Sequence, residues 1–319
     1  MKNLSIIFSL LILSILGSCR DATVAEDLSE QSEAKEVDMQ VVGKTYYISP
    51  EGNDSFDGLS TSKAWKSIDK VNTANFQPGD RILFKSGGTW EGNLAPKGSG
   101  DLTAVITIDQ YGSGNKPIIK GKGTDNNTAT LLLHNQSFWQ INNLEITHTT
   151  SSNKLAVSGI IIENLESTPS SDISIDNCYV HNVNSSPFGT PNYNKNSGGI
   201  IFKGLINNVL VKNCHVKDCD IEGIRTSSQT KADNVVLANN IIENIYGDGI
   251  VLNGVKNSKI IGNTLRNVSK SKKTNYAGCW TYNSTGTRVA FNEVTGIKGG
   301  GPNDGEAFDA DNNTKRRYF

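Results

Sequence analysis

The side chains able to do chemistry in this chain are mostly acids, and they crowd near its end. The run Asp304-Gly305-Glu306-Ala307-Phe308-Asp309-Ala310-Asp311 holds four carboxyl groups in eight residues. Carboxylates packed on one surface repel each other, so at least one keeps its proton near neutral pH. A protonated carboxyl beside an ionised one equips a site for acid–base or nucleophilic cleavage. The same oxygens could instead bind calcium, with Asp304 at the rim of the group. Asp248 and Glu222 lie upstream, each directly before a glycine, as Glu306 lies before Ala307. The catalytic candidates are Asp309, Asp311, Glu306 and Asp248. Arg225, Trp280, Tyr282, Asn253 and Glu222 are the candidates for holding substrate. Indole and phenol rings pack on sugar C–H faces, and Arg pairs a uronate or sulfate bidentately. The competing reading is structural: Asp and Asn favour solvated corners, Asp248-Gly249 is an ordinary turn pair, and Trp280 could be a buried aromatic.

A repeat is what brings these residues together. A small residue followed by apolar alternation recurs at Gly159-Ile160-Ile161-Ile162, Gly199-Ile200-Ile201-Phe202, Gly223-Ile224-Arg225-Thr226, Gly249-Ile250-Val251-Leu252, Gly278-Cys279-Trp280-Thr281 and Ala307-Phe308-Asp309-Ala310. The spacing runs from 24 residues (Gly199 to Gly223) to 40 (Gly159 to Gly199), as in stacked repeats. A second motif falls between, Ile173-x-Ile175-x-Asn177-Cys178-x-Val180-x-x-Val183. It returns from Val209 to Cys219 and from Val235 to Ile245, with weaker copies at 260–268 and 289–297. Two short period-two strands per repeat cannot bury themselves alone but can when stacked. Asn and Gly suit the corners because they tolerate left-handed backbone angles. Alternation then gives two outward rows: Ile201, Arg225, Val251, Trp280, Asp309, and Lys203, Ser227, Asn253, Tyr282, Asp311.

The expected fold is therefore all-β, a single-stranded right-handed parallel β-helix with a short N-terminal capping helix. No helical period separates the strands, and the Leu-x-x-Leu-x-Leu spacing of leucine-rich repeats is absent. On these motifs the chain resembles the pectin-lyase-like superfamily over roughly Lys44 to Asp311. The resemblance implies a carbohydrate-active protein whose partner is a plant or algal polysaccharide. In the lyases of that superfamily, acidic residues hold calcium and a Lys or Arg abstracts a proton. By that resemblance Arg225, Lys203 or Arg288 would be the base. Glycoside hydrolysis and uronate elimination are both open, as is a non-catalytic glycan-binding or scaffold role, or an inactive truncated product. No cofactor beyond calcium is indicated.

The 319 residues carry a net charge of −1, which gives no support to nucleic-acid binding. One elongated monomeric domain suffices. Met1-Lys2, an apolar run to Leu16 and Leu16-Gly17-Ser18-Cys19 read as a lipoprotein signal peptide over 1–18. Cys19 resembles the lipid-modified first residue of a bacterial lipoprotein, which implies a membrane anchor and an outer-membrane or cell-surface location. Residues 19–43 are acidic and poor in large apolar side chains, an expected disordered tether. The β-helix domain spans 44–319. It opens on a cap: a strand after Lys44, a helix over 67–75 and a first solenoid strand at 82–85. Asn53, Asp54 and Asp57 could hold calcium but fit a solvated turn better. Cys178 and Cys214 share a repeat position, so they stack as inward thiols or pair as a disulfide. His134, His148, His181 and His215 show no metal spacing. After Thr314 the repeat gives way to Lys315-Arg316-Arg317-Tyr318-Phe319, which reads as a truncation at the C-terminus. A frameshift would explain it: AAA CGA CGG TAC TTT, read one base later, begins Asn-Asp-Gly-Thr and continues the coil.

Overall fold

A computed structural model describes residues 43–123, 125–149, 155–299, 301, 304–311 and 314–315. The signal peptide, Cys19, nearly all of the tether and the last four residues lie outside the described residues. What remains winds as a parallel β-helix with three strands to a full rung. The first sheet carries the glycine motif, from Thr128–His134 through Val157–Asn164, the start of Gly198–Lys212, Glu222–Thr226, Ile250–Asn253 and Cys279–Tyr282 to Phe308–Ala310. The second runs from Thr45–Ile48 to Arg288–Ala290, and the third from Thr89–Glu91 to Glu293–Thr295. Every pairing in these sheets is parallel. The fifteen-residue strand Gly198–Lys212 crosses from the first sheet into the second.

The sequence suggested two strands per repeat; there are three. Asn177, Asn213 and Asn239 take left-handed angles (φ of 51°, 54° and 54°), and each breaks the second motif into two strands facing different sheets. Asn adopts this conformation more cheaply than other side-chain-bearing residues, and its amide links the corners of successive rungs. Asn177 donates to Asn143 at 2.7 Å and Asn213 to Asp176 at 2.9 Å.

The glycine column has a steric cause. A Cβ on Gly199, Gly223, Gly249 or Gly278 would lie 2.4–2.6 Å from the carbonyl oxygen of the next rung. It would also meet Val216, Ile242, Leu265 or Val294 of the third sheet at 2.5–2.9 Å. Only glycine lets the first and third sheets close on each other there.

Ile, Val and Leu rows fill the interior. One internal column is polar in part. Cys178 and Cys214 stack as free, buried thiols, with no disulfide. Asn240, Asn263 and Asn292 continue the column as a hydrogen-bonded ladder. Asn240 donates to Val211 O at 3.0 Å and Asn263 Oδ1 at 2.9 Å, and Asn263 repeats this to Leu237 O and Asn292 Oδ1, both at 2.9 Å. At the other end, the helix Ile68–Thr73 turns Ile68 and Val71 into the core. Ser67 caps it by accepting from the Lys70 N–H. Asn53, Asp54 and Asp57 accept backbone N–H groups of Ser55, Lys66, Ser67 and Leu59, which makes them turn formers. Among the described residues no helix is long and apolar enough to cross a membrane.

Replacing Asn240 by Ala orphans the Cys214 N–H and breaks the ladder, and should cost about 2–4 kcal/mol. Asn239→Ala, one residue away but exposed, should cost only about 1–2 kcal/mol, for forcing Ala into the left-handed region. Guanidinium denaturation of the two variants checks the ordering.

Candidate active site

The turns that lead from the third sheet into the first end in acids. Glu222 opens the strand Glu222–Thr226, and its Gly223 N–H donates to Asp248 O at 2.9 Å. Gly249 N–H donates to Ala277 O and Gly278 N–H to Glu306 O, at 3.4 and 2.9 Å. Glu222, Asp248, Ala277 and Glu306 therefore occupy one edge position on successive rungs, about 4.8 Å apart. Three residues further along each strand, register pairs Ile201 with Arg225, Arg225 with Val251, Val251 with Trp280 and Trp280 with Asp309. Asn253 pairs with Tyr282 in the next outward row.

Glu222 and Asp248 are fully buried and Arg225 is 4% exposed. Arg225 Nη1 lies 3.3 Å from Glu222 Oε1 and 3.5 Å from Asp248 Oδ2, so one guanidinium nitrogen spans both acids. Lys195 Nζ approaches Asp248 Oδ2 from the other side, at 3.5 Å. The Ala277 N–H donates to Asp248 Oδ1 at 2.7 Å. Burial pushes the Glu222 carboxyl well above the usual range, and the adjacent Asp248 charge pushes it further; Arg225 and Lys195 only partly oppose this. Glu222 thus keeps its proton where an ordinary glutamate has lost it.

Trp280 is half-buried, and cations occupy its ring rather than open solvent. Lys195 Nζ stands 5.3 Å and Arg225 Cζ 5.9 Å from its centroid. Lys195 also lies 4.9 Å from the Tyr276 ring centroid and donates to Asn275 O at 3.2 Å.

Lys195 arrives on a strap, residues 184–197, between the third-sheet strand Tyr179–Val183 and the first-sheet strand starting at Gly198. Hydrogen bonds pin the strap along the edge of the first sheet. Asn192 accepts from Asn126 at 2.9 Å, Asn194 donates to Asn127 at 2.8 Å, and the Tyr193 and Tyr276 hydroxyls meet at 2.9 Å. The strap explains the longest repeat, but neither it nor Lys195, Tyr193 and Tyr276 was singled out from the sequence. The signal available was the 40-residue interval between Gly159 and Gly199.

The last rung is more open. Asp304 and Glu306 are exposed, while Asp309, Asp311 and Tyr282 are half-buried. The Asp304 carboxyl is raised by partial burial and then by Glu306, Asp248 and Asp309, against the pull of Lys195. Buried and open acids thus sense one another. Asn253 is buried, 6% exposed. Lys203 sits a row away opposite Glu163, and burial lowers its ammonium. Arg288 lies on the second sheet, away from this face, with its guanidinium 5.7 Å from Phe291. Among the described residues no three His, Cys, Asp or Glu side chains gather closely enough to hold a metal ion.

Fold and site together define a right-handed parallel β-helix with an acid-lined wall. The chain belongs to the family described as right handed beta helix region, whose model matches residues 107–294. Among solved structures it is similar to a GH136 lacto-N-biosidase from Eubacterium ramulus. The TM-score is 0.71 at 19% identity, over 93% of this chain and 58% of that one. A rhamnogalacturonan lyase matches with a TM-score of 0.50 at 16% identity, over 77% of this chain and 69% of that one. This chain thus spans somewhat over half the length of the lacto-N-biosidase. No curated protein matches it.

A carboxyl whose pKa is raised by folding stabilises the fold fully only below its unfolded pKa. That contribution is lost as pH rises toward the folded value. Glu222 therefore makes the fold less stable as pH climbs above about 4.3. Glu222→Gln should flatten the decline in urea midpoint between pH 5 and pH 8; an unchanged slope would place the ionisation elsewhere.

Proposed function

We propose that the chain is a glycan-cleaving enzyme, and that hydrolysis is its reaction. The observation that carries this reading is the buried Glu222–Asp248 pair on Arg225, facing the open acids of the last rung. Glu222 and Asp248 both meet one Arg225 nitrogen, at 3.3 and 3.5 Å, and burial raises the Glu222 carboxyl. They sit too close to each other to flank a glycosidic bond, so the second carboxyl comes from elsewhere. Glu306 occupies the same edge position three rungs from Glu222, about 14 Å away along the backbone. Two glutamate side chains that reach toward each other shorten that gap toward the roughly 6.5–9.5 Å that leaves room for a water.

In the reaction proposed, Glu222 passes its proton to the glycosidic oxygen as the C–O bond breaks. Glu306 takes a proton from the water that attacks the anomeric carbon from the opposite side. Asp309 and Asp311 line the open half of the wall, and Tyr282 and Asn253 the neighbouring row. Lys195 moves off Asp248 when substrate enters. The similarity to a lacto-N-biosidase agrees with hydrolysis and indicates a glycan substrate. Elimination from a uronate is the second reading, favoured by the two cations beside Asp248. Both cations already meet carboxylates, however, which leaves less positive charge for a uronate.

A panel of plant, algal and animal-type glycans, with and without chelator, tests the activity. Glu222→Gln and Glu306→Gln should each lower kcat by about a hundredfold to ten-thousandfold. The first product seen by NMR should carry the inverted anomeric configuration. Products with a conjugated double bond would replace hydrolysis by elimination, and retention of glycan with no turnover would leave a binding protein.

The lipid anchor at Cys19 and the cell-surface location are part of the same proposal. They rest on Leu16-Gly17-Ser18-Cys19 and on the expectation that glycan-cleaving domains work outside the cytoplasm. Cells expressing the full chain should incorporate labelled palmitate into it, and Cys19→Ser should abolish the label.

A further inference from the structure

Four side-chain polar atoms near the strap are buried without a hydrogen-bond partner: Glu222 Oε2, Arg225 Nε, Trp280 Nε1 and Asn196 Oδ1. Glu222 and Arg225 are themselves almost wholly buried. Such atoms destabilise a fold when left bare, and native folds rarely leave several together. These are linked by contact. Arg225 touches Glu222, stands over Trp280, and Glu222 N–H donates to Ser197 O, next to Asn196. Two N–H donors and a carboxyl oxygen, set beside an indole ring, form the pattern that recognises the hydroxyl pair of a pyranose ring.

The outward row beside them is closed on one side only. Ile161, Ile201 and Val251 point outward from the sheet yet are at most 1% exposed. Toward the last rung, Trp280 and Asp309 open to solvent. A sugar chain laid along this wall meets dry, covered rungs in one direction and an open face in the other.

We infer that the closed end beneath the strap is a pocket for the terminal ring of a glycan, so that the enzyme takes chain ends and not chain interiors. Arg225 Nε and Trp280 Nε1 donate to the hydroxyls of the non-reducing terminal sugar, while Glu222 Oε2 faces its glycosidic oxygen. The rest of the chain leaves over the last rung. This rests on the glycan-cleaving reading and adds to it which part of the substrate is held.

The test is calorimetric titration of the purified full chain. One arm uses the methyl pyranosides of galactose, N-acetylglucosamine, xylose and galacturonate. The other uses oligosaccharides of the same sugars, with the non-reducing terminal ring either free or fully O-methylated. At least one methyl pyranoside should bind, and methylating the terminal ring should weaken its oligosaccharide at least tenfold. Trp280→Phe, which keeps an aromatic ring but removes the N–H together with part of the indole, should weaken the free oligosaccharide about fivefold. Arg225→Lys should do the same; if it fails to fold, because its guanidinium holds two buried acids, Trp280→Phe decides. Equal binding or cleavage of free and methylated chains overturns the end-pocket and leaves the glycan-cleaving reading standing. No binding by any sugar, with no cleavage in the panel, overturns both.

Discussion

Everything at this site depends on how closely two sheets approach along one edge. The carbonyl oxygens of the next rung and the side chains of the third sheet leave no space for a Cβ at Gly199, Gly223, Gly249 or Gly278. The residue before each glycine therefore ends a turn at the point where the wall is thinnest. Its side chain cannot enter the core, because the glycine column seals it. Glu222 and Asp248 occupy that position on adjoining rungs, so the same constraint that closes the coil also brings two carboxyl groups onto one Arg225 nitrogen.

Such an arrangement is a poor way to stabilise a fold. Removing an acid from water costs several kcal/mol, which an ion pair recovers only with complete hydrogen bonding. Here the recovery is incomplete. Arg225 reaches both acids at 3.3 and 3.5 Å, yet Arg225 Nε and Glu222 Oε2 stay bare. The neighbouring rungs show the cheaper filling, since Ile201 and Val251 take the places on either side of Arg225 and are buried without any polar atom. A charged group between two aliphatic ones, held with unspent hydrogen-bonding capacity, costs stability that an aliphatic side chain at the same place would not.

The repeat made much of this legible. Gly-h-x-h alternation was enough to align Arg225, Trp280 and Asp309 on one outward row, because strand geometry is periodic and the glycine fixes its phase. Three features were not legible. Asn177 and its equivalents split one apparent strand into two, since alternation continues through a left-handed residue without a visible break. Exposure could not be read from an outward direction: Arg225 and Val251 face out and are nonetheless dry. The strap brings one of the two cations on Trp280, Lys195. Turn residues such as Tyr193 and Lys195 follow no period, so their partners are set by tertiary contact alone.

The strap also decides how the wall can work. Its hydrogen bonds reach from Asn126 and Asn127, ahead of the strand Thr128–His134, to Asn275 and Tyr276, ahead of the strand Cys279–Tyr282. A loop pinned at both ends across that many rungs does not swing away as a whole without losing all of these bonds. Local movement costs less. Lys195 is held by a 3.5 Å ion pair and a 3.2 Å hydrogen bond at the edge of the strap, and its departure uncovers Asp248 while the asparagine contacts stay in place. Opening of this kind admits something narrow beside Trp280 and leaves the rungs of Ile161 and Ile201 covered. The last rung thus remains the open end of the wall, and Glu222 lies buried toward the covered end.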